Sequence, residues 1–204
     1  MIMEISDRRE REFKRREEDI LQASFDLFAK NGIESVTIDM IAEKAGVGKG
    51  TIYKHFIGKN EIFASLVILQ GHELMNALNR LDKTVPIISQ IKIMIRIFWE
   101  VHTQDIKKFQ IRRKCDQLMV LEELSPPVLA EYNKLNDMKK EFARVLFQQA
   151  INEEVFMAVD VDNLIIASMG LYTGMLDVAL KEDVQPSEEL YLLLKNMVFK
   201  GFMA

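Results

Sequence analysis

Lys49, Thr51, Tyr53, Lys54 and His55 fall within seven residues, with Gly50 between the first two and Lys59 shortly beyond. Ammonium groups, hydroxyls and an imidazole are the side chains that reach phosphate oxygens and base edges, and a glycine lets backbone approach a ligand closely. The stretch Lys44–Asn60 holds four lysines and His55 but no acidic residue, in a chain of formal charge −4. A second cluster, Arg8–Arg16, carries six basic and two acidic residues. Residues 1–60 are neutral overall, so the whole excess of negative charge lies in 61–204. Two basic clusters on an otherwise acidic chain mark a local site for a polyanion; a solvated helix face produces the same pattern, and charge alone leaves both readings open.

Other chemistries find few parts. A single cysteine, Cys115, excludes an internal disulfide and a multi-cysteine zinc site. Arg112, Arg113 and Lys114 beside it would favour a thiolate, but no second cysteine is present to resolve an oxidised form. His102 and Asp105 lie one helical turn apart without the further His or Cys that a metal site requires, so no metal and no cofactor is expected. There is no glycine-rich phosphate loop, nucleophile elbow or H-E-x-x-H motif, and the chain does not read as an enzyme.

The elements that must position the basic residues are helices. With 49% hydrophobic and 28% charged residues, four prolines, and no alternating β-branched runs between turn signals, the 204-residue chain reads as an all-α globular protein of one or two domains. Ile20, Phe25, Leu27 and Phe28 recur at helical spacing, and Asn31-Gly32 supplies a left-handed cap, which predicts a first helix over about 9–30. Thr37 is the N-cap of a second helix whose Ile38, Ile41, Ala42 and Ala45 share a face, and Gly46 closes it. A third helix starts near Lys49 and buries Ile52 and Phe56, and a long fourth begins at Lys59 or Asn60. Two short helices joined by a glycine-containing turn form a helix-turn-helix, with Lys49, Thr51, Tyr53, Lys54 and His55 left on its outer side.

Residues 20–63 resemble the DNA-binding domain of the TetR family of bacterial transcriptional regulators. The resemblance rests on A-x-x-x-L-F-A-x-x-G from Ala23 to Gly32, with Ser24 where a second alanine is common. It continues in V-T-I-x-x-I-A from Val36 to Ala42 and A-G-V-x-K-G-T-x-Y-x-H-F from Ala45 to Phe56, with Lys59 following. Gly48 departs from the serine common at that position; a glycine N-cap supplies no hydroxyl to the helix or to phosphate. The resemblance implies that the third helix enters the major groove of double-stranded DNA while the second crosses the backbone. Thr37 is then expected at a phosphate, Lys49 and Thr51 at base edges, Gly50 where backbone comes close, and Tyr53 at a thymine methyl or phosphate. Lys54, His55 and Lys59 are expected to grip the backbone. Whether Arg8–Arg16 follows an adjacent groove or simply extends the first helix stays open.

Further helices are expected over about 60–81, 86–103, 105–121, 126–153, 161–182 and 187–202, with Pro86, Pro126-Pro127 and Pro186 at helix starts. The division expected is a DNA-binding domain over 1–60 and a helical domain over 61–204, with the fourth helix as a rigid bridge. Family resemblance implies a small-molecule effector within the second part, and the large or soft side chains that would line its pocket are Phe98, Trp99, His102, Phe109, Met119, Tyr132, Phe142, Met169 and Tyr172. The last two helices are apolar over more of their circumference than one core needs. Gly170, Gly174, Leu190, Leu194 and Met197 are therefore assigned to a homodimer interface, which a near-palindromic operator would match. No segment has the ~18 uninterrupted apolar residues of a membrane span; Ile87–Trp99 is broken by Gln90, Lys92 and Arg96. No secretion signal opens the chain, and a cytoplasmic location is expected. The reading is a homodimeric repressor released from DNA by a small, mostly apolar ligand. A protein-interaction adaptor, or a cofactor-free enzyme using the helix-turn-helix as scaffold, is the alternative.

Overall fold

Short local signals set the helix boundaries. The computed structural model describes residues 2–203, with side chains from Arg8 onward. Among the described residues the regular structure is nine α-helices, one 3-10 turn and an isolated β-bridge, so the expected all-α class holds. The helices are α1 (Ile2–Asn31), α2 (Ile38–Lys44), α3 (Lys49–His55), α4 (Lys59–Leu78), α5 (Ile87–Thr103), α6 (Ile106–Leu118), α7 (Pro126–Asn152), α8 (Val161–Lys181) and α9 (Glu188–Phe202), with the 3-10 turn over Leu121–Glu123. Gly32, at φ +81°, ends α1 with its N–H on the Phe28 carbonyl at 3.1 Å. Asp160 caps α8 by accepting from the N–H groups of Asp162 and Asn163, and Ser187 caps α9 by accepting from that of Leu190.

Packing groups the residues up to Gln70 with Gln110–Tyr132, and Gly71–Phe109 with the residues from Asn133 on. In the first unit Ile20, Phe28, Val36, Ile41, Ile52 and Ile62 form a core with Ile111 and Cys115 of α6. Ser24 is fully buried with its hydroxyl satisfied, donating to the Ile20 carbonyl at 2.8 Å. Cys115 has no exposed surface, and burial pushes its thiol up to about 12. The neighbouring basic residues do not offset that burial, and the thiol is a core side chain rather than a redox group.

One buried carboxylate fixes the turn that follows α3. Glu61, 3% exposed, accepts from the Ile57 N–H at 2.7 Å and from the Ser125 N–H at 3.1 Å. Nearby, Asn60 donates to Glu123.

In the second unit, Trp99, Leu176, Tyr191, Leu194 and Val198 are buried. Arg96 of α5 forms a two-pronged pair with Glu188 at 2.7 and 2.6 Å and lies 3.6 Å over the Tyr191 ring, which joins α5 to α9. A β-carbon on Gly71 would stand 3.1 Å from Leu135 Cδ1, so a larger residue there would push α4 from α7. The loop after α7 returns to the C-terminus: Met157 N–H donates to the Phe202 carbonyl at 2.8 Å, and Phe156 packs edge-on to Phe147, Phe199 and Phe202.

Replacing Glu61 by Ala strands two partly buried N–H groups, each costing roughly 1–3 kcal/mol. Urea denaturation is expected to show a loss of about 2 kcal/mol or more, with Glu61→Gln, which keeps one acceptor oxygen, falling between the variant and the parent.

Candidate nucleic-acid interface

At seven residues each, α2 and α3 are too short to be stable alone, so their packing holds them. Ile41 and Ala42 of α2 and Ile52 of α3 are at most 5% exposed, and Phe56 closes the cluster. The turn between them is hydrogen-bonded throughout: Ala45 N–H to Ile41 O at 2.9 Å, Gly46 N–H to Glu43 O at 3.1 Å and Val47 N–H to Ala42 O at 3.0 Å. Gly46 takes φ +65°, the left-handed region where glycine avoids the Cβ clash. Thr37 Oγ1 accepts from the Met40 N–H at 3.3 Å, which leaves its O–H to donate outward. Gly48 precedes α3 with no side-chain cap, as its lack of a hydroxyl requires.

With Ile52 turned inward, Gly50, Tyr53 and Lys54 are exposed, and Thr51 is half-buried beside them. Nothing lies within 4 Å of the position a Gly50 Cβ would take, so the backbone there is open to an incoming surface. Lys49 is exposed but occupied: its Nζ lies 2.8 Å from Asp39 at the start of α2, and that carboxylate raises the lysine's pKa. Asp39 was not among the residues singled out from sequence, although it follows the Thr37 cap by two positions.

Two residues expected to grip a phosphate backbone are placed differently. His55 turns inward, with a side chain 4% exposed and stacked on Phe13 of α1 at 3.9 Å between centroids and 28° between planes. It stands three residues after Ile52 and one before Phe56, on the buried side of α3. Glu17 Oε2 lies 4.0 Å from Nδ1, too far for a hydrogen bond, and burial followed by the charge of Arg16 holds the imidazole below its ordinary value of 6.5. Lys59 Nζ donates to the Ile33 carbonyl at 2.6 Å and lies over the Phe28 and Phe63 rings at 5.9 and 5.6 Å; burial lowers its pKa. In this structure both residues brace the helix-turn-helix from within.

The side chains expected to line a pocket do not all meet. Phe98, His102, Phe109 and Tyr172 cluster within the second unit: the Tyr172 hydroxyl donates to the Phe98 carbonyl at 3.0 Å and lies 2.5 Å from His102 Nδ1. Because the phenol proton is committed to that carbonyl, Nδ1 must carry the hydrogen of the second bond. Phe109 packs 4.9 Å from the same imidazole, and burial raises the Tyr172 pKa. Trp99 is a core residue against Tyr191 at 5.8 Å, Phe142 is half-buried on α7, and Met169 is exposed on α8. Met119 packs on the core of the first unit, where Tyr132 donates to Asp116 at 2.9 Å.

Of the residues assigned to an interface between copies, Gly170 and Gly174 are open and Met197 is 48% exposed. Leu190 is half-buried, and Leu194, 1% exposed, belongs to its own core instead, since it lies on the face that carries Tyr191 and Val198. Leu193 is 54% exposed, and Ile166 and Val178, at 68% and 62% exposed, are apolar side chains not singled out from the sequence. By length and composition α8 is also apolar enough to cross a membrane, yet only 22% of its apolar stretch is buried.

Residues 20–66, which enclose α2, α3 and the Glu61 turn, match the family described as bacterial regulatory proteins, tetR family. Residues 20–66 are a TetR-family DNA-binding domain. Like its relatives the chain is a DNA-binding transcriptional regulator and not an enzyme. It is similar to the HTH-type transcriptional regulator SrpR of Pseudomonas putida, 25% identical over 182 residues that cover 86% of this chain and 80% of SrpR. It also resembles TtgW, an uncharacterized HTH-type regulator of the same species, at 36% identity over 63 residues, 31% of this chain and 47% of that protein. The fold matches the crystal structure of the TetR-family regulator PfmR from Thermus thermophilus with a TM-score of 0.69 at 20% identity, over 89% of this chain and 94% of PfmR.

Two outcomes test this TetR-family helix-turn-helix. Removing the negative charge in Asp39→Ala frees Lys49 and is expected to tighten binding to mixed-sequence duplex and steepen the plot of log affinity against log salt by about one unit, measured by fluorescence anisotropy. His55 is held neutral, so the unfolded chain binds its proton more readily than the native one. Native stability is therefore intact above pH 6.5 and declines as pH falls from there through the lowered native value. Glu17 titrates separately, its pKa raised above 4.5 by burial and then by Glu18. His55→Phe keeps the stack without the titration, and denaturation midpoints at pH 7.5 and 5.5 are expected to converge in that variant.

Proposed function

We propose that this regulator is a homodimeric repressor, with residues 1–60 as its DNA-binding part and residues 61–204 binding an effector and a second copy of the chain. It occupies a near-palindromic operator in the cytoplasm and leaves it when a small, mostly apolar ligand binds. The observation that carries the dimer is the uncovered apolar face of α8. Ile166, Gly170, Gly174 and Val178 follow one another every fourth residue, and none is covered by the chain's own packing. The two glycines leave room for a helix backbone, and Leu193 and Met197 extend apolar surface on α9. Each such side chain removed from water contributes roughly 1.5–3 kcal/mol, ample for a stable dimer when the patch is repeated by two-fold symmetry.

Tyr53, Lys54, Thr51 and Thr37 are then the residues proposed to meet the duplex, with Gly50 allowing close approach. Lys49 joins them by leaving or sharing Asp39. His55 and Lys59 support the reading helix from behind. The effector reading draws on the cluster of Phe98, His102, Phe109 and Tyr172, where aromatic surface surrounds one polar pair. A ligand that favours one dimer geometry lowers DNA affinity only by its differential affinity for the two geometries, so an effective inducer must supply several kcal/mol.

Selection of duplexes from a random-sequence pool by the full chain is expected to return a two-fold symmetric motif whose half-sites lie about one helical turn apart or a multiple of it. Failure to enrich any duplex, with binding insensitive to salt, would instead favour the adaptor reading. Ile166→Glu places an unpaired charge on each copy of the face; sedimentation is expected to show dimer dissociation increased by at least about a hundredfold, and the symmetric site to be lost with it.

A further inference from the structure

The N-terminal half of α1 is charged, helical and unused by the helix-turn-helix. From Arg8 onward the first buried residue of α1 is Ile20, so the turns between them add no buried side chain to the hydrophobic core. A polar helix of this kind is marginal in water unless something holds it. Here the hold is the Phe13–His55 stack, which docks α1 on the last turn of the reading helix α3. Glu17 of α1 lies against the same imidazole, its Oε2 4.0 Å from Nδ1. Arg9, Phe13 and Arg16 follow at i, i+4 and i+7, and so share the face of α1 turned toward α3. Arg8, Lys14 and Arg16 are engaged by Glu12, Glu10 and Asp19, whereas Arg9 is exposed and forms no ion pair with a described residue.

We infer that the extension of α1 is a second contact to the DNA backbone, in which Arg9, carried by the docked helix, takes a phosphate flanking the half-site read by α3. Arg9 stands one helical turn, about 6 Å along the axis, beyond the Phe13 that touches α3. Its planar guanidinium suits two phosphate oxygens at once. The partner is the duplex already held by the head, because the Arg9 face continues from the reading helix and carries the same sign of charge as Lys49 and Lys54. The role of Phe13 is positional: it holds the angle of the extension and touches no DNA. This inference rests on the DNA-binding reading of α3.

The test uses the full chain and the duplex enriched from the random pool, in one form ending at the motif and in another extended by about ten base pairs on each side. The parent is expected to show a steeper salt dependence on the extended duplex than on the trimmed one. Arg9→Ala should lower that slope by about one unit per protomer on the extended duplex and leave the trimmed one unchanged. Phe13→Leu, which abolishes the stack but keeps an apolar side chain, should weaken the extended duplex several-fold and the trimmed one little. Equal slopes for the parent on both duplexes, with Arg9→Ala matching the parent while Tyr53→Ala weakens both, would overturn the inference and leave the reading helix standing. Equal weakening of both duplexes by Arg9→Ala would also overturn it. A parent that binds neither form would remove the DNA-binding reading of α3 and this inference together.

Discussion

The complete burial of Ile52 is the constraint on which the rest of the head depends. A seven-residue helix has no rigidity of its own, so its rotation is set by the side chain it inserts between α1 and α2. Successive residues advance by about 100° around a helix, and fixing Ile52 inward sends Gly50, Tyr53 and Lys54 outward. The same rotation decides against His55. It points close to the buried direction, and its polarity is accommodated by stacking and neutrality rather than by solvent.

A second regularity is that two of the cations on and beside α3 are already committed. Lys49 lies on Asp39, and Lys59 is spent on the Ile33 carbonyl and two aromatic rings. Lys54 is the cation of α3 left projecting, with the Tyr53 phenol beside it.

Much of this was legible because its causes are local. Thr37, Gly46, Pro86 and Ser187 act within three or four residues of themselves, and the helices they bound are where their chemistry puts them. What escaped reading depends on partners distant in sequence. Lys59 shows its role only once Ile33 is beside it, and Leu194 only once it is known which side of α9 meets the core. The start of α1 at Ile2, against an expected start near residue 9, was hidden because the charged run Arg8–Arg16 carries no hydrophobic period. The return of the 156 loop to residue 203 has no signature in either segment. Leu121–Glu123 forms a separate turn where a continuous helix to residue 121 was expected, and its closing bond runs from the Leu124 N–H to the Leu121 carbonyl at 3.1 Å. The glycines of α8 signalled close packing, yet the residues around them that are bare, Ile166 and Val178, are ordinary core formers by composition.

Glu61 has one oxygen on the peptide just after the reading helix and the other on the peptide just before α7. Those two points are 68 residues apart along the backbone and two hydrogen bonds apart in space. A carboxylate is short and stiff compared with an apolar contact, which can slide. The start of α7 and the turn that closes α3 are therefore joined by a linkage with almost no slack.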